Sequence, residues 1–233
     1  MSLLTDKEIL AALESGFIEI DPFDDKECLQ GSSYDMRLGN KAIVSKVLTL
    51  EELRTGVESG EARELSLQTE RSLSVPAGAF SLAITYERIR LSANYAGHIG
   101  LRTYYARKGL TILSGIQIDP GWDGHLVLGL ANLSPRTITI DYMDQICTIE
   151  IHKLADNVDR PYSGPYMKDQ RQGKIPTADK DYLRTIETMS SAELTRALLS
   201  VSQNLRGLTR WILALWIPIA ALVIAKILDF FLK

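Results

Sequence analysis

The chain is poor in cysteine, has no excess of positive charge and lacks a leader-like start. Cys28 and Cys147 are its only cysteines. They form no CxxC motif and are too few for a disulfide framework, so a reducing compartment is the default. A net charge of −3 over 233 residues provides no whole-chain basic field, which argues against duplex nucleic acid as a partner. Met1 to Asp6 shows neither the basic nor the apolar region of a secretory signal. Histidine is scarce as well: His98, His125 and His152 do not pair at metal-ligand spacing. Each reads as an ordinary strand residue, so no protein-held metal is expected.

What is present is mostly β-pattern. The length accommodates one core of roughly 150–180 residues plus an appendage. A short helix opens the chain: Thr5 and Glu8 fit a capping box, Ile9, Leu10 and Leu13 form one apolar stripe, and Gly16 suits the end. Short apolar runs follow, at residues 42–44, 72–75, 80–85, 116–118, 126–128, 137–140 and 146–151, several alternating as half-buried strands do. Pro76-Ala77-Gly78 and Ser134-Pro135-Arg136 punctuate them as turns. Many short strands at close spacing predict an all-β sandwich, jelly roll or barrel. Residues 50–70, rich in Glu and Arg from Glu51 to Glu64, read as a solvated helix or loop excursion.

Three segments carry chemistry. Asp119-Pro120-Gly121-Trp122-Asp123-Gly124 is a Pro-Gly turn bracketed by a carboxylate and an indole. Taken alone it is either an ordinary turn or a pocket floor. Upstream stand Leu101-Arg102-Thr103-Tyr104-Tyr105-Ala106-Arg107 and, near the start, Gly31-Ser32-Ser33-Tyr34-Asp35-Met36-Arg37-Leu38-Gly39-Asn40. In order and approximate spacing these resemble the dCTP deaminase branch of the dUTPase superfamily, over residues 1 to about 180.

That resemblance implies a distorted β-roll of dUTPase type that assembles as a homotrimer, with nucleoside triphosphate bound at subunit interfaces and Mg²⁺ carried with the triphosphate. Arg102, Thr103 and Tyr104 stand at the family's Arg-Ser-Ser element, which binds the triphosphate, and Arg107 matches its second arginine. A guanidinium offers paired donors and a fixed charge to phosphate oxygens; the competing reading of both arginines is a surface or intersubunit ion pair. Tyr104 puts a large ring where a small serine is usual. Asp119 matches the carboxylate beside the sugar and a water, with Gln117 and Trp122 flanking it. Tyr162, Tyr166, Lys168 and Gln172, in a stretch that also holds Gln170, fall where the family has a closing lid. The match there is loose, because Asp169 stands where a Tyr is usual.

One departure bears on activity. The deaminases carry a glutamate on the strand after the Pro-Gly-aromatic turn, and it handles protons while water attacks the cytosine ring. Here that strand reads Val127-Leu128-Gly129-Leu130, and glycine cannot exchange a proton. Ser114-Gly115-Ile116-Gln117, just before the turn, also departs from the family's run and is one residue short. The zinc-deaminase signature is absent too. Deaminase activity is therefore doubtful, whereas hydrolysis using Asp119 and a water remains open.

The last segment departs from the family altogether. Trp211 to Ala225 is apolar throughout, and Trp211 to Leu232 spans 22 residues. At ~1.5 Å per residue that is about 33 Å, enough for a hydrocarbon core of ~30 Å. Trp211 and Trp216 suit one interface, and Arg206 and Arg210 a cytoplasmic flank. A buried or interfacial helix is the alternative. Before it, Leu194, Leu198, Val201, Leu205, Leu208 and Ile212 recur as a coiled-coil seam, or as one face of an amphipathic helix. The same count reaches Lys226 and Asp229.

The organisation expected is a nucleotide-binding domain at 1–180, a linker and coiled-coil helix at 181–210, and a membrane helix at 211–232. Two functions compete. One is a catalytically altered nucleotide binder, tethered to the membrane by a single C-terminal span with a cytoplasmic head, acting as a sensor or membrane effector. The other is an active tethered deaminase or nucleotide hydrolase of pyrimidine deoxynucleotide metabolism.

Overall fold

The computed structural model describes residues 1–55 and 61–231, with the side chains of residues 53, 54, 191, 192 and 229–231 outside the description. Part of the charged excursion at 50–70, the side chain of Asp229 and all of Leu232 therefore lie outside it. The chain divides into two compact units, Met1–Ser190 and Ser191–Lys233.

The first unit is a curled antiparallel sheet. Its main path runs Leu110–Ile112, Asp123–Asn132, Phe80–Leu91, Ser33–Val44, Gln145–Lys153, Tyr95–Leu101 and Gln117–Ile118. The strand Ser33–Val44 is the seam of the curl. Its first half pairs with Gln145–Lys153 (Asp35 opposite Thr148), and its second half pairs with Phe80–Leu91 (Ala42 opposite Ala83). The register shifts between Leu38 and Ala42. Gly39 sits in that shift, where an added Cβ would come within 2.6 Å of the Thr85 carbonyl oxygen. Only glycine lets the two backbones approach so closely there. The core between the two halves is apolar, with Tyr34, Met36, Leu38, Leu73, Ile89, Leu128 and Ile149 all inaccessible to solvent.

The opening helix is Asp6–Glu14. Thr5 N donates to Glu8 Oε2 at 2.8 Å, and Glu8 N donates to Thr5 Oγ1 at 3.4 Å, closing the capping box. Gly16 follows at φ 69°, left-handed, as a helix end favours. The charged excursion is partly ordered into the sheet: Leu50–Thr55 is helical, while Arg63–Ser66 pairs with Lys41–Val44. Burial of Leu67, with no exposed surface, draws the segment back to the core. Cys28 and Cys147 are both buried and free. The helix Thr177–Thr185 and the short strand Glu187–Thr188, which pairs in parallel with Lys46–Val47, complete this unit.

The second unit is one helix, Ser191–Phe231, with Pro218 inside it. It is long and apolar enough to cross a membrane.

Candidate functional site

The arginine motif lies where the strand Tyr95–Leu101 ends. Arg102 caps a single turn, Thr103–Ala106, and the chain turns back at Gly109 into Leu110–Ile112. The turn is pinned from below, because Tyr105 is buried and its hydroxyl donates to Asp144 at 2.7 Å. Burial, and then that bond to Asp144, push the Tyr105 phenol well above its ordinary range. With Tyr105 facing inward, Arg102, Thr103, Tyr104 and Arg107 face a cavity of about 580 Å³, which His98, Gly100, Thr148 and Glu150 also line.

The cavity floor is a cross-strand lattice. Asp35, Thr148 and Gly100 lie opposite one another on three adjacent strands, and Glu150, His98 and Gln117 form the next row. Residues directly opposite share a face. Asp35, fully buried, accepts from Thr148 Oγ1 at 2.6 Å and from Arg102 Nη1. Arg102 is thus oriented by a buried carboxylate, with a third of its side chain still open to solvent. Arg107 is exposed. Lys108 Nζ lies 3.7 Å from the centre of the Tyr104 ring, so the exposed ring carries a cation on its face.

Gln117, Asp119, Trp122 and Tyr162 form a second cluster. Gln117 Nε2 donates to Asp119 Oδ1 at 2.8 Å, and the Trp122 and Tyr162 rings lie 5.0 Å apart. The Pro-Gly turn holds the lid segment close: Tyr162 N donates to Pro120 O at 2.7 Å, and Gly121 faces Pro161 at φ 86°. Burial, and then the Asp119 carboxylate, raise the Tyr162 phenol. Gln117 reaches the first cluster through its row with His98, but neither Asp119 nor Trp122 lines the arginine cavity within one chain.

The expected lid residues do not converge on that cavity either. Tyr166 precedes the helix Met167–Arg171, and Lys168 and Gln172 are exposed. Gln170 is the residue that faces inward, buried against Gly124, whose added Cβ would meet it at 2.9 Å. Arg171 pairs with Asp123 at 2.7 Å, and Asp123 also pairs with Arg88 at 2.5 Å.

Beside this lies Gly129, where the resemblance leads one to expect a glutamate. Gly129 faces a cavity of about 350 Å³, lined among others by Phe80, Leu113, Ser114, Asp179 and Tyr182. An added Cβ at Gly129 would sit 3.3 Å from Phe80 Cζ. Gly129 N donates to Ser114 Oγ at 2.6 Å, and Ser114 Oγ donates to the Val127 carbonyl at 3.2 Å. Phe80 thus crowds the first atom of any side chain at this position, although the cavity beyond it is open. Asp179 is the carboxylate of this cavity, raised by burial.

Two expectations change. The histidines do not all stand apart: the His98 and His152 rings are 4.8 Å apart, brought together by a strand ladder rather than by sequence spacing. Asp35, Thr148 and Glu150 also belong to the cavity region although the sequence reading gave them no role. Asp35 had a visible signal, a carboxylate between Tyr34 and Met36 in a strand where all three are buried.

A curled antiparallel roll with an arginine-lined cavity in the turn after one strand and an Asp-Pro-Gly-aromatic turn beside it defines the class. The chain belongs to the dCTP deaminase-like family, whose family model matches residues 3–154. It is 35% identical to the dCTP deaminase of Shewanella loihica over 170 residues, 69% of this chain and 88% of that one. It is 31% identical to the dUMP-forming dCTP deaminase of Methanopyrus kandleri over 180 residues, 73% of this chain and 93% of that one. Among solved structures, that of 2'-deoxycytidine 5'-triphosphate deaminase from Agrobacterium tumefaciens overlaps with a TM-score of 0.49 at 18% identity, covering 64% of this chain and 47% of that one. The family match ends before the helix Ser191–Phe231.

Proposed function

We propose that the head binds a nucleoside triphosphate without deaminating it, in a site completed between subunits of a homotrimer, and that the C-terminal helix tethers it to a membrane as a nucleotide sensor or membrane effector. The observation that carries this is Gly129. It stands where the resemblance leads one to expect a proton-handling carboxylate, and an added side chain there would press on Phe80.

Arg102, held by Asp35, and Arg107 supply the phosphate-binding charge, and Thr103 a hydroxyl. Asp119, Trp122 and the segment with Tyr162, Tyr166, Lys168 and Gln172 lie outside that cavity in one chain. A neighbouring subunit would supply such a group, which favours a trimer. Mg²⁺ would be held chiefly by the triphosphate's own oxygens. Both Asp35 oxygens are occupied by Arg102 and Thr148, leaving Glu150 as the carboxylate lining the cavity. When bound, the ion neutralises phosphate charge. On the helix, Leu194, Leu198, Val201, Leu205 and Leu208 would bundle as a coiled coil, with Lys226 turned to the bundle interior of a span whose head is cytoplasmic.

The test is incubation of the purified chain with each dNTP and NTP, reading products and melting temperature together. A ligand that binds only the folded state raises the melting temperature. Stabilisation without dUTP or dUMP formation is expected, and turnover of dCTP at an enzyme's rate refutes the reading. A second reading, triphosphate hydrolysis, is favoured by Asp119, which is kept and oriented by Gln117. In that case Asp119→Asn removes phosphate release from the triphosphate and leaves the thermal shift in place.

A further inference from the structure

The strands Tyr95–Leu101 and Gln145–Lys153 place His98 opposite Glu150 and Ala96 opposite His152. Residues two apart on a strand share a face, so Glu150 and His152 project together, and His98 joins them from across the ladder. One donor atom from each of the three lies within 4.8 Å of the others. His152 Nε2 stands 3.9 Å from Glu150 Oε2. The two imidazoles are tilted by 59° rather than stacked flat. A second observation is independent of that spacing: His152 Nε2 is buried and has no hydrogen-bond partner among the described residues. A buried ring nitrogen without a partner is unfavourable, and a metal bond is one way to satisfy it.

We propose that His98, Glu150 and His152 bind one divalent first-row transition metal ion of the zinc class. Zinc bonds to nitrogen and carboxylate oxygen are ~2.0–2.2 Å, which sets donor-to-donor distances of about 3.3–3.6 Å in a tetrahedral site. Bringing donors that lie within 4.8 Å of one another into that range takes side-chain adjustment, and Glu150, half exposed, has room for it. Two imidazoles and a carboxylate suit zinc, cobalt(II) or iron(II), whereas Mg²⁺ prefers oxygen alone. Three protein ligands leave a fourth position open. His98 and Glu150 also line the cavity of Arg102 and Arg107, so that position adjoins the phosphate-binding charge. The site needs only two paired strands, so it stands whether or not the nucleotide reading does.

The experiment uses the full chain in detergent, stripped with a chelator and titrated with Co²⁺ and then Zn²⁺, with no nucleotide present. One ion per chain is expected, with Co²⁺ producing visible absorption bands that Zn²⁺ abolishes. His98→Ala, His152→Ala and Glu150→Gln should each weaken binding by at least about tenfold, since even outer-sphere partners of a metal site count for ~10–100-fold. Each variant's metal-free melting temperature is compared with that of the parent. Glu150→Gln, at a half-exposed position, and His98→Asn carry the test if His152→Ala does not fold. Failure of the parent chain to take up Zn²⁺ at micromolar concentration overturns the proposal. So does uptake unchanged in all the folded variants, or uptake of Mg²⁺ in preference to Zn²⁺.

Discussion

The arginine side and the Gly129 side of the head are built to different rules. On the arginine side the polar groups that the family resemblance points to are present, and the turn that carries them is anchored from beneath: Asp35 under Arg102, Thr148 under Asp35, Asp144 under Tyr105. On the Gly129 side position 129 carries no carboxylate; it borders a cavity of about 350 Å³, beside the Phe80 ring and a serine that bonds only to backbone. The proposed split between holding a ligand and transforming it rests on this contrast: donors suited to an anion line one cavity, while position 129 in the other has no side chain to exchange a proton.

The sharpest way to break this comparison is Arg102→Ala, which removes the partner of a fully buried carboxylate. Uncovering such a charge costs ~3–5 kcal/mol, and the part-exposed arginine puts this case near 3. In a head of this size that lowers the melting temperature by roughly 6–12 °C, readable by calorimetry, and triphosphate binding disappears with it. An unchanged melting temperature would mean that Asp35 does not depend on Arg102.

Arg107→Ala is next and separates the two contributions. It is exposed, so the fold should be untouched while triphosphate affinity falls by ~1.5–3 kcal/mol, the range for a charge-assisted contact. Titration calorimetry with a non-hydrolysable triphosphate measures it. Affinity equal to that of the parent would return Arg107 to a surface role.

On the other side, Gly129→Glu should lower stability by ~1–3 kcal/mol through overpacking against Phe80, and should not create dCTP deamination. Adding Phe80→Ala ought to recover part of that loss. Deamination by the single variant would show that this side was never rebuilt.

The smallest effect concerns His125, on the same strand as Gly129. Burial holds its ring below the ordinary imidazole value of 6.5, and Nδ1 lies 3.0 Å from the Thr85 carbonyl oxygen. A depressed pKa means that the unfolded chain binds the proton more readily. The associated stability is present above pH 6.5 and is lost as pH falls through the lowered value. The parent should therefore lose a few degrees of melting temperature between pH 7 and pH 5 that His125→Phe does not lose, and parallel curves would remove His125 from the account.

The sequence showed one kind of feature well and hid another. Local signals were legible: the Thr5–Glu8 capping box, the Pro-Gly turn at 120–121, and the alternating runs at 72–75 and 146–151, which fall in strands Ser72–Val75 and Gln145–Lys153. The strand Phe80–Leu91 runs six residues past the apolar stretch because Thr85 and Glu87 take buried positions, and polar residues in the core phase conceal the period. Glu87 is tolerated there because Arg37 Nε donates to it at 2.6 Å and Arg37 N at 2.8 Å, although burial still raises its carboxyl. The His98–Glu150–His152 cluster was invisible for a different reason. It depends on which strands become neighbours, and spacing along the chain does not encode that.

The two units also differ in when they are made. The strand Gln145–Lys153 lies between Ser33–Val44 and Tyr95–Leu101, so the roll cannot close until Lys153 has been synthesised. The long helix begins at Ser191. Translation at ~5–20 residues per second takes roughly 2–8 s to cover that interval. The main strands of the roll are thus all made before the apolar helix is, whereas the helix Thr177–Thr185 and the strand Glu187–Thr188 that complete the unit come only just ahead of it.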